Sequence, residues 1–168
     1  MEDDLHLKQF DIKGEIWTAC FSPEGLIRLC FPGQIGKIDI ALPESPLAKE
    51  IKVQQKITLK WLQAYLGGKS SDTIPKPALD LSTGTVFQQK VWKAMLKIPY
   101  GKTQSYGQIA KSIKNPKAVR ATGGACGANP IPLIIPCHRV LAANRKLGGF
   151  SGGLPWKKRL LKLEGIEL

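Results

Sequence analysis

QSYGQIAKSIKNPKAVRATGGACGAN, residues 104–129, contains two short helical patterns separated by a turn. Ser105 followed three residues later by Gln108 is a capping box, and Ile109, Ala110 and Ile113 then recur at helical spacing. Lys114-Asn115-Pro116 makes a tight turn, with Asn115 as a cap and Pro116 as the first-turn proline of a second helix running through residues 117–129. Two short helices joined this way form a helix-turn-helix. The second helix carries Gly123, Gly124 and Gly127, each about 1 kcal/mol less favourable than alanine inside a helix. Small residues let a helix backbone lie close to another surface, here either a DNA groove or a neighbouring helix.

Upstream, Thr85 and Gln88 repeat the capping box, and Phe87, Val91, Ala94, Met95 and Ile98 keep helical spacing until Pro99 stops the run. GGKSSDTIPKP, residues 67–77, is a linker by composition, which puts a boundary near residues 76–84 and gives domains 1–80 and 81–168. The first half is predicted to be α/β. EIWTACF (15–21) and LIRLCF (26–31) are rich in β-formers and flank the turn signal SPEG, so they form a hairpin. Residues 48–66 are helical in character, with Gly67 as the C′ stop.

A chain of 168 residues with 43% apolar content can bury a substantial core. No apolar run approaches the roughly 20 residues that span a bilayer, and the acidic N-terminus lacks the features of a signal peptide, so a cytoplasmic, nucleoid-associated protein is expected. Cys20, Cys30, Cys126 and Cys137 at irregular spacing are predicted to be reduced thiols, and with only His6 and His138 as imidazoles no metal is expected. Cys20 and Cys30 are placed to meet across the hairpin. Charge divides unevenly: residues 1–82 carry 10 Lys and Arg against 11 Asp and Glu, whereas residues 83–168 carry 15 against 2. Concentrated positive charge in one half suggests a polyanion partner, because lysines and arginines that neutralise phosphates release condensed counterions.

IIPCHRV, residues 134–140, raises the question of chemistry. A thiol is a nucleophile as its thiolate, so a working Cys137 needs a base or cation beside it, and His138 follows directly. A buried, inert thiol is the competing reading. Glu164 sits near the end of the PWKKRLLKL helix, where the helix dipole disfavours negative charge, so it either holds His138 or is simply solvated. GGFSGG (148–153) is a flexible loop whose amides can meet a ligand, and Tyr106 can stack on a base, donate its hydroxyl or pack in the core.

PCHRV (136–140), GTVFQQKVWKAMLKIPYGKTQSYGQIA (84–110), NPKAVRATGGACGANP (115–130) and GGFSGGLPWKKRLLKLEG (148–165) together closely resemble the O6-alkylguanine-DNA alkyltransferases, over about residues 83–167. The resemblance implies an α/β N-terminal ribonuclease-H-like domain plus a mostly α C-terminal winged helix-turn-helix domain. It implies an irreversible, single-turnover transfer from O6-alkylguanine in double-stranded DNA, by a monomer without cofactor, with O4-alkylthymine left open as a second substrate. On the same basis Cys137 is the alkyl acceptor, His138 deprotonates it through a water, and Glu164 holds His138. Asn129 braces the recognition helix against the active-site turn, Tyr106 assists nucleotide rotation and protonates the departing guanine, and Arg120 fills the gap in the duplex. Ser151 lies in the loop that contacts O6, and with Ala121, Gly123, Gly124, Arg139 and Val140 it completes the substrate and DNA contacts. Phe150 stands where several relatives have tyrosine, and the zinc-binding histidines of some relatives have no counterpart. Two other functions compete: a non-catalytic alkyltransferase-like damage sensor, whose relatives lack the acceptor cysteine, and a winged-helix regulator with an incidental thiol.

Overall fold

The computed structural model describes residues 5–35 and 46–168, and the chain divides into two compact units, Met1–Thr83 and Gly84–Leu168. In the first unit, strands β1 (His6–Ile12), β2 (Glu15–Ser22) and β3 (Gly25–Cys30) form an antiparallel sheet in the order β1-β2-β3. Lys13 and Gly14 both adopt positive φ, 54° and 85°, as a two-residue hairpin loop between right-twisted strands requires. Pro23 and Glu24 make the predicted turn from β2 to β3. Gly25 is required there, since a Cβ would stand 2.4 Å from the carbonyl oxygen of Ala78. That carbonyl accepts from the amide of Leu26, and Asp80 N–H donates to Leu26 O, so residues 78–80 lie along the start of β3.

Helix α1 (Pro46–Leu66) supplies Ile51, Trp61, Leu62 and Tyr65 to a core shared with Trp17, Phe21 and Leu26 of the sheet, all at most 1% exposed. Each such side chain contributes roughly 1.5–3 kcal/mol through removal from water. The helix closes one residue later than expected: Gly68, at φ 90°, takes the left-handed C′ position, with Gly68 N–H donating to Tyr65 O and Lys69 N–H to Ala64 O. Cys20 and Cys30 are buried free thiols that lie diagonally across the hairpin on one face, since Cys20 is directly opposite Arg28 and Cys30 directly opposite Thr18. Among the described residues no three His, Cys, Asp or Glu side chains gather as metal ligands, and no helix is long and apolar enough to cross a membrane.

The second unit contains α2 (Val86–Met95), β4 (Gln104–Ser105), α3 (Tyr106–Ser112), α4 (Val119–Gly127), β5 (Val140–Leu141) and α5 (Leu154–Leu163). Both capping boxes form, Thr85 with Gln88 and Ser105 with Gln108. Trp92 on α2 is 2% exposed and donates its indole N–H to Ala125 O on α4 at 2.8 Å, fixing one helix against the other. Gly84 makes room for that indole, because a Cβ at 84 would fall 2.3 Å from the ring.

The second helix of the pair starts later than its sequence suggests, at Val119, with Ala118 as an N-cap lacking any side-chain hydrogen bond. Asn115 is already engaged: Lys114 takes φ 60°, Lys114 N–H donates to Lys111 O and Asn115 N–H to Ala110 O, which closes α3. Asn115 O then accepts from Ala118 N–H, so residues 115–118 form a separate turn. β4 and β5 pair in parallel, Gln104 with Val140 and Ser105 with Leu141, which sets the segment after Cys137 beside the start of α3.

Candidate active site

Cys137 begins a single 3-10 turn, Cys137–Arg139, between Pro136 and β5. The turn is over-determined by the chain before it. Asn129 at the end of α4 donates from Nδ2 to Ile135 O at 2.9 Å and accepts at Oδ1 from Ile131 N–H at 3.0 Å, tying residues 129–135 into a closed loop. Leu133 is held at φ 69° within it, and Cys137 N–H donates to Ile135 O.

Behind the turn lies a buried charged cluster. His138 Nε2 is 2.8 Å from Glu164 Oε1, and both residues are nearly inaccessible. Arg139 grips the same carboxylate, Nε to Oε2 at 2.9 Å and Nη2 to Oε1 at 2.9 Å, while its Nη1 donates to Ile98 O. Gly101 N–H adds a further donor to Oε2. Burial pushes the Glu164 carboxyl up, but the hydrogen bonds and charges of His138 and Arg139 prevail and hold it down at about 2. The helix-end carboxylate is therefore an ion-paired anchor rather than a solvated group. Burial pushes His138 below its usual value, opposed by Glu164, so the imidazole rests neutral near neutral pH.

In front of the turn is a cavity of about 350 Å³ lined by Tyr106, Gly123, Cys126, Gly127, Cys137, Gly149, Phe150 and Ser151. That volume lies within the range of small-ligand pockets. Cys137 is 5% exposed, and burial pushes its thiol up to about 11, against the lowering effects of an Asn129 hydrogen bond and the Lys157 charge. The resting sulfur is thus a neutral thiol and not the ionised group that its neighbours suggest from sequence. Burial, then Cys126 and Cys137, also push Tyr106 up, keeping the phenol a proton donor. Tyr106 opens α3, its ring 4.0 Å from where a Cβ of Gly123 would be, and its hydroxyl 2.9 Å from where one of Gly148 would be.

Not every expected contact residue reaches the cavity. Arg139 is 3% exposed with its guanidinium turned to Glu164, and Val140 is fully buried in β5, its carbonyl accepting from Lys157 at 2.8 Å; neither lines the pocket. The charge of Arg139 serves the buried cluster instead of DNA. Arg120, Ala121 and Gly124 are exposed on α4, and among the described residues no atom outside the local helix backbone lies within 4 Å of a Cβ built at Gly124 or Gly127. Those two glycines therefore serve no helix packing inside the second unit.

Two site residues escape a reading by sequence. Cys126 lines the cavity, with burial and the neighbouring Cys137 holding its thiol at about 12. Lys157 is fully buried, donating to Val140 O and Leu147 O, with its ammonium 5.9 Å from the Phe150 ring centroid. The signal for it was present: Lys157, Leu160, Leu161 and Glu164 repeat at i, i+3, i+4, i+7, which places the lysine on the buried stripe of α5.

Residues 86–166 match the family model for 6-O-methylguanine DNA methyltransferase, DNA binding domain. A methylated-DNA–protein-cysteine methyltransferase of Methanosarcina acetivorans is 47% identical over 130 residues, 77% of this chain and 80% of that protein. The chain belongs to the methylated-DNA–protein-cysteine methyltransferase family of enzymes. A relative of the same name from Haemophilus influenzae is 49% identical over 120 residues, 70% of this chain and 64% of its own. Among solved structures, Mycobacterium tuberculosis OGT in complex with DNA is similar at 40% identity and a TM-score of 0.77, covering 95% of this chain and 92% of that one. Both units of the chain thus have counterparts in the family's mixed α/β structures.

Proposed function

We propose that the protein repairs DNA by moving the alkyl group of O6-alkylguanine onto Sγ of Cys137, once per molecule. The observation that carries this is a thiol forming one wall of a base-sized cavity, backed by an imidazole–carboxylate pair and bordered by the small-residue face of α4. A neutral imidazole that donates from Nε2 to Glu164 carries its lone pair on Nδ1, so His138 takes the thiol proton, directly or through a water. The thiolate then attacks the alkyl carbon in line, the S–C bond forming as the C–O bond breaks. Tyr106 donates a proton so that neutral guanine departs, and the thioether remains on the protein. The target atom lies inside the duplex, so the nucleotide must rotate out at a cost of a few kcal/mol. The exposure of Arg120 on α4 supports a role in filling the gap, and the uncrowded backbone at Gly124 and Gly127 supports close approach to a minor groove.

The finer architectural labels belong to the same proposal. The β1-β2-β3 sheet with α1 supports a ribonuclease-H-like first unit, and α3, α4 and the β4–β5 pair support a winged helix-turn-helix. The M. tuberculosis relative solved in complex with DNA supports DNA as the partner; that the DNA is a duplex and the protein a monomer belongs to the proposal. The decisive test is the intact mass after incubation with a duplex containing one O6-methylguanine. The expected result is a gain of one methyl group on the peptide containing Cys137, none for Cys137→Ala, and duplex binding retained by that variant. Methylation of Cys126 instead, or binding without any mass gain, refutes the assignment.

A further inference from the structure

The first unit has a cavity of its own, of about 400 Å³, between the β1 edge of the sheet and α1, remote in sequence from the thiol. Its origin is legible in the strand register. His6, Lys8, Phe10 and Ile12 share one face of β1, and three of them are buried, whereas Lys8 occupies the remaining core-facing position and is exposed. A lysine in that position leaves the sheet and helix layers open beside it. On α1, Lys52, Gln55, Lys56, Leu59 and Gln63 recur at helical spacing along the facing stripe. Three lysines, exposed to solvent, therefore line the slot together with Phe10 and Leu59, in a half of the chain whose overall charge is close to balanced. Among the described residues Asp11 is the one acidic residue in the lining.

Gln55 supplies a second, independent observation. It is 7% exposed, and its Nε2 donates to no acceptor among the described residues, although buried amide donors are nearly always satisfied. Gln54, its neighbour, does have a partner, since its Oε1 accepts from Ala78 N–H at 2.9 Å. A buried donor without an acceptor among the described residues, in a cavity lined by lysines and by Phe10 and Leu59, matches a ligand with a carboxylate at one end and a short hydrocarbon body at the other. We infer that the cavity between β1 and α1 is a binding site for a small aliphatic carboxylate. The oxygens accept from Gln55 Nε2 and from Lys52 or Lys56, and the hydrocarbon body lies against Phe10 and Leu59. Neither the thiol nor DNA takes part, so the inference stands or falls separately from alkyl transfer.

The test is titration of the 15N-labelled full chain with sodium hexanoate, followed by amide correlation spectra that include the Gln55 side-chain NH2 pair. Saturable shifts of that pair and of residues 8–11 and 52–63 are expected, with hexanol and inorganic phosphate each at least about tenfold weaker because one lacks the charge and the other the apolar body. Gln55→Met, which keeps the volume and removes the donor, and the double variant Lys52→Gln/Lys56→Gln should each weaken hexanoate about tenfold. The absence of saturable shifts in the unaltered protein overturns the inference, as does hexanol or phosphate binding as well as hexanoate. If Gln55→Met fails to fold, the titration of the unaltered protein and the double lysine variant decide.

Discussion

Replacing Glu164 with glutamine removes one charge from a group that four donors hold, and its consequences can be worked through. The carboxylate accepts from His138, twice from Arg139 and once from Gly101, all within about 3 Å. In Glu164→Gln the amide NH2 faces either the guanidinium or the imidazole N–H, so a buried donor meets another donor and the Arg139 charge loses its partner. Stranding one member of a buried ion pair costs about 3–5 kcal/mol. The pH dependence gives a second estimate. Moving this carboxyl from its ordinary 4.5 down to about 2 corresponds to roughly 3 kcal/mol of folding stability. Because the folded-state value is the lower one, that stability is fully present above about pH 4.5 and is lost as pH falls towards 2. Urea unfolding followed through the Trp92 indole resonance reports on the second unit alone. The variant should be less stable by about 3 kcal/mol at pH 7, and the difference should shrink as pH is lowered below 4.5. Transfer to Cys137 should slow by about a hundredfold as His138 loses its orientation. A variant within about 1 kcal/mol of the parent at pH 7, or one that keeps the parent's slope below pH 4.5, refutes the assignment of Glu164 as anchor.

Gly124→Ala should stabilise α4 by up to about 1 kcal/mol, because nothing in the protein crowds the new methyl group, and should weaken duplex binding; thermal melts and a binding titration check the two halves, and unchanged DNA affinity removes α4 from the contact surface. Lys157→Met should raise the apparent pKa for alkylation of Cys137 by a small reagent and slow transfer, since it deletes a lowering charge and frees the carbonyls of Val140 and Leu147; a rate–pH profile identical to the parent's contradicts a positioning role.

Local signals were the most legible. Both capping boxes form where Thr85, Gln88, Ser105 and Gln108 place them, because each needs only residues three apart. The start of α4 was not legible for a related reason. Asn115-Pro116 is equally good chemistry for a helix start and for the turn that ends the helix before it, and closure of α3 takes Asn115 first. β1 was missed because polar His6 and Lys8 occupy inward positions and blur the alternation that marks a strand. At the site, Cys137, His138, Asn129, Tyr106 and Glu164 were nameable through resemblance, but not their energetics. Arg139 has the charge of a DNA contact and the burial of a core residue, and only the three-dimensional position of Glu164 distinguishes those roles. Lys157 was overlooked because a lysine is ordinarily at the surface; its place in the apolar stripe of α5 outweighs that preference once its ammonium finds two carbonyls.

The high proton affinity of the Cys137 thiol bears on how long such a molecule lasts. On the chemistry proposed, a reagent consumed by a single event has to survive encounters with peroxides and stray electrophiles, which react with thiolates far faster than with thiols. Keeping the sulfur capped by its own hydrogen, with only 5% of the residue exposed, lowers its reactivity towards them. On the chemistry proposed, the cap comes off only when a flipped base fills the recess, so selectivity for damage and resistance to wasteful inactivation arise from the same burial.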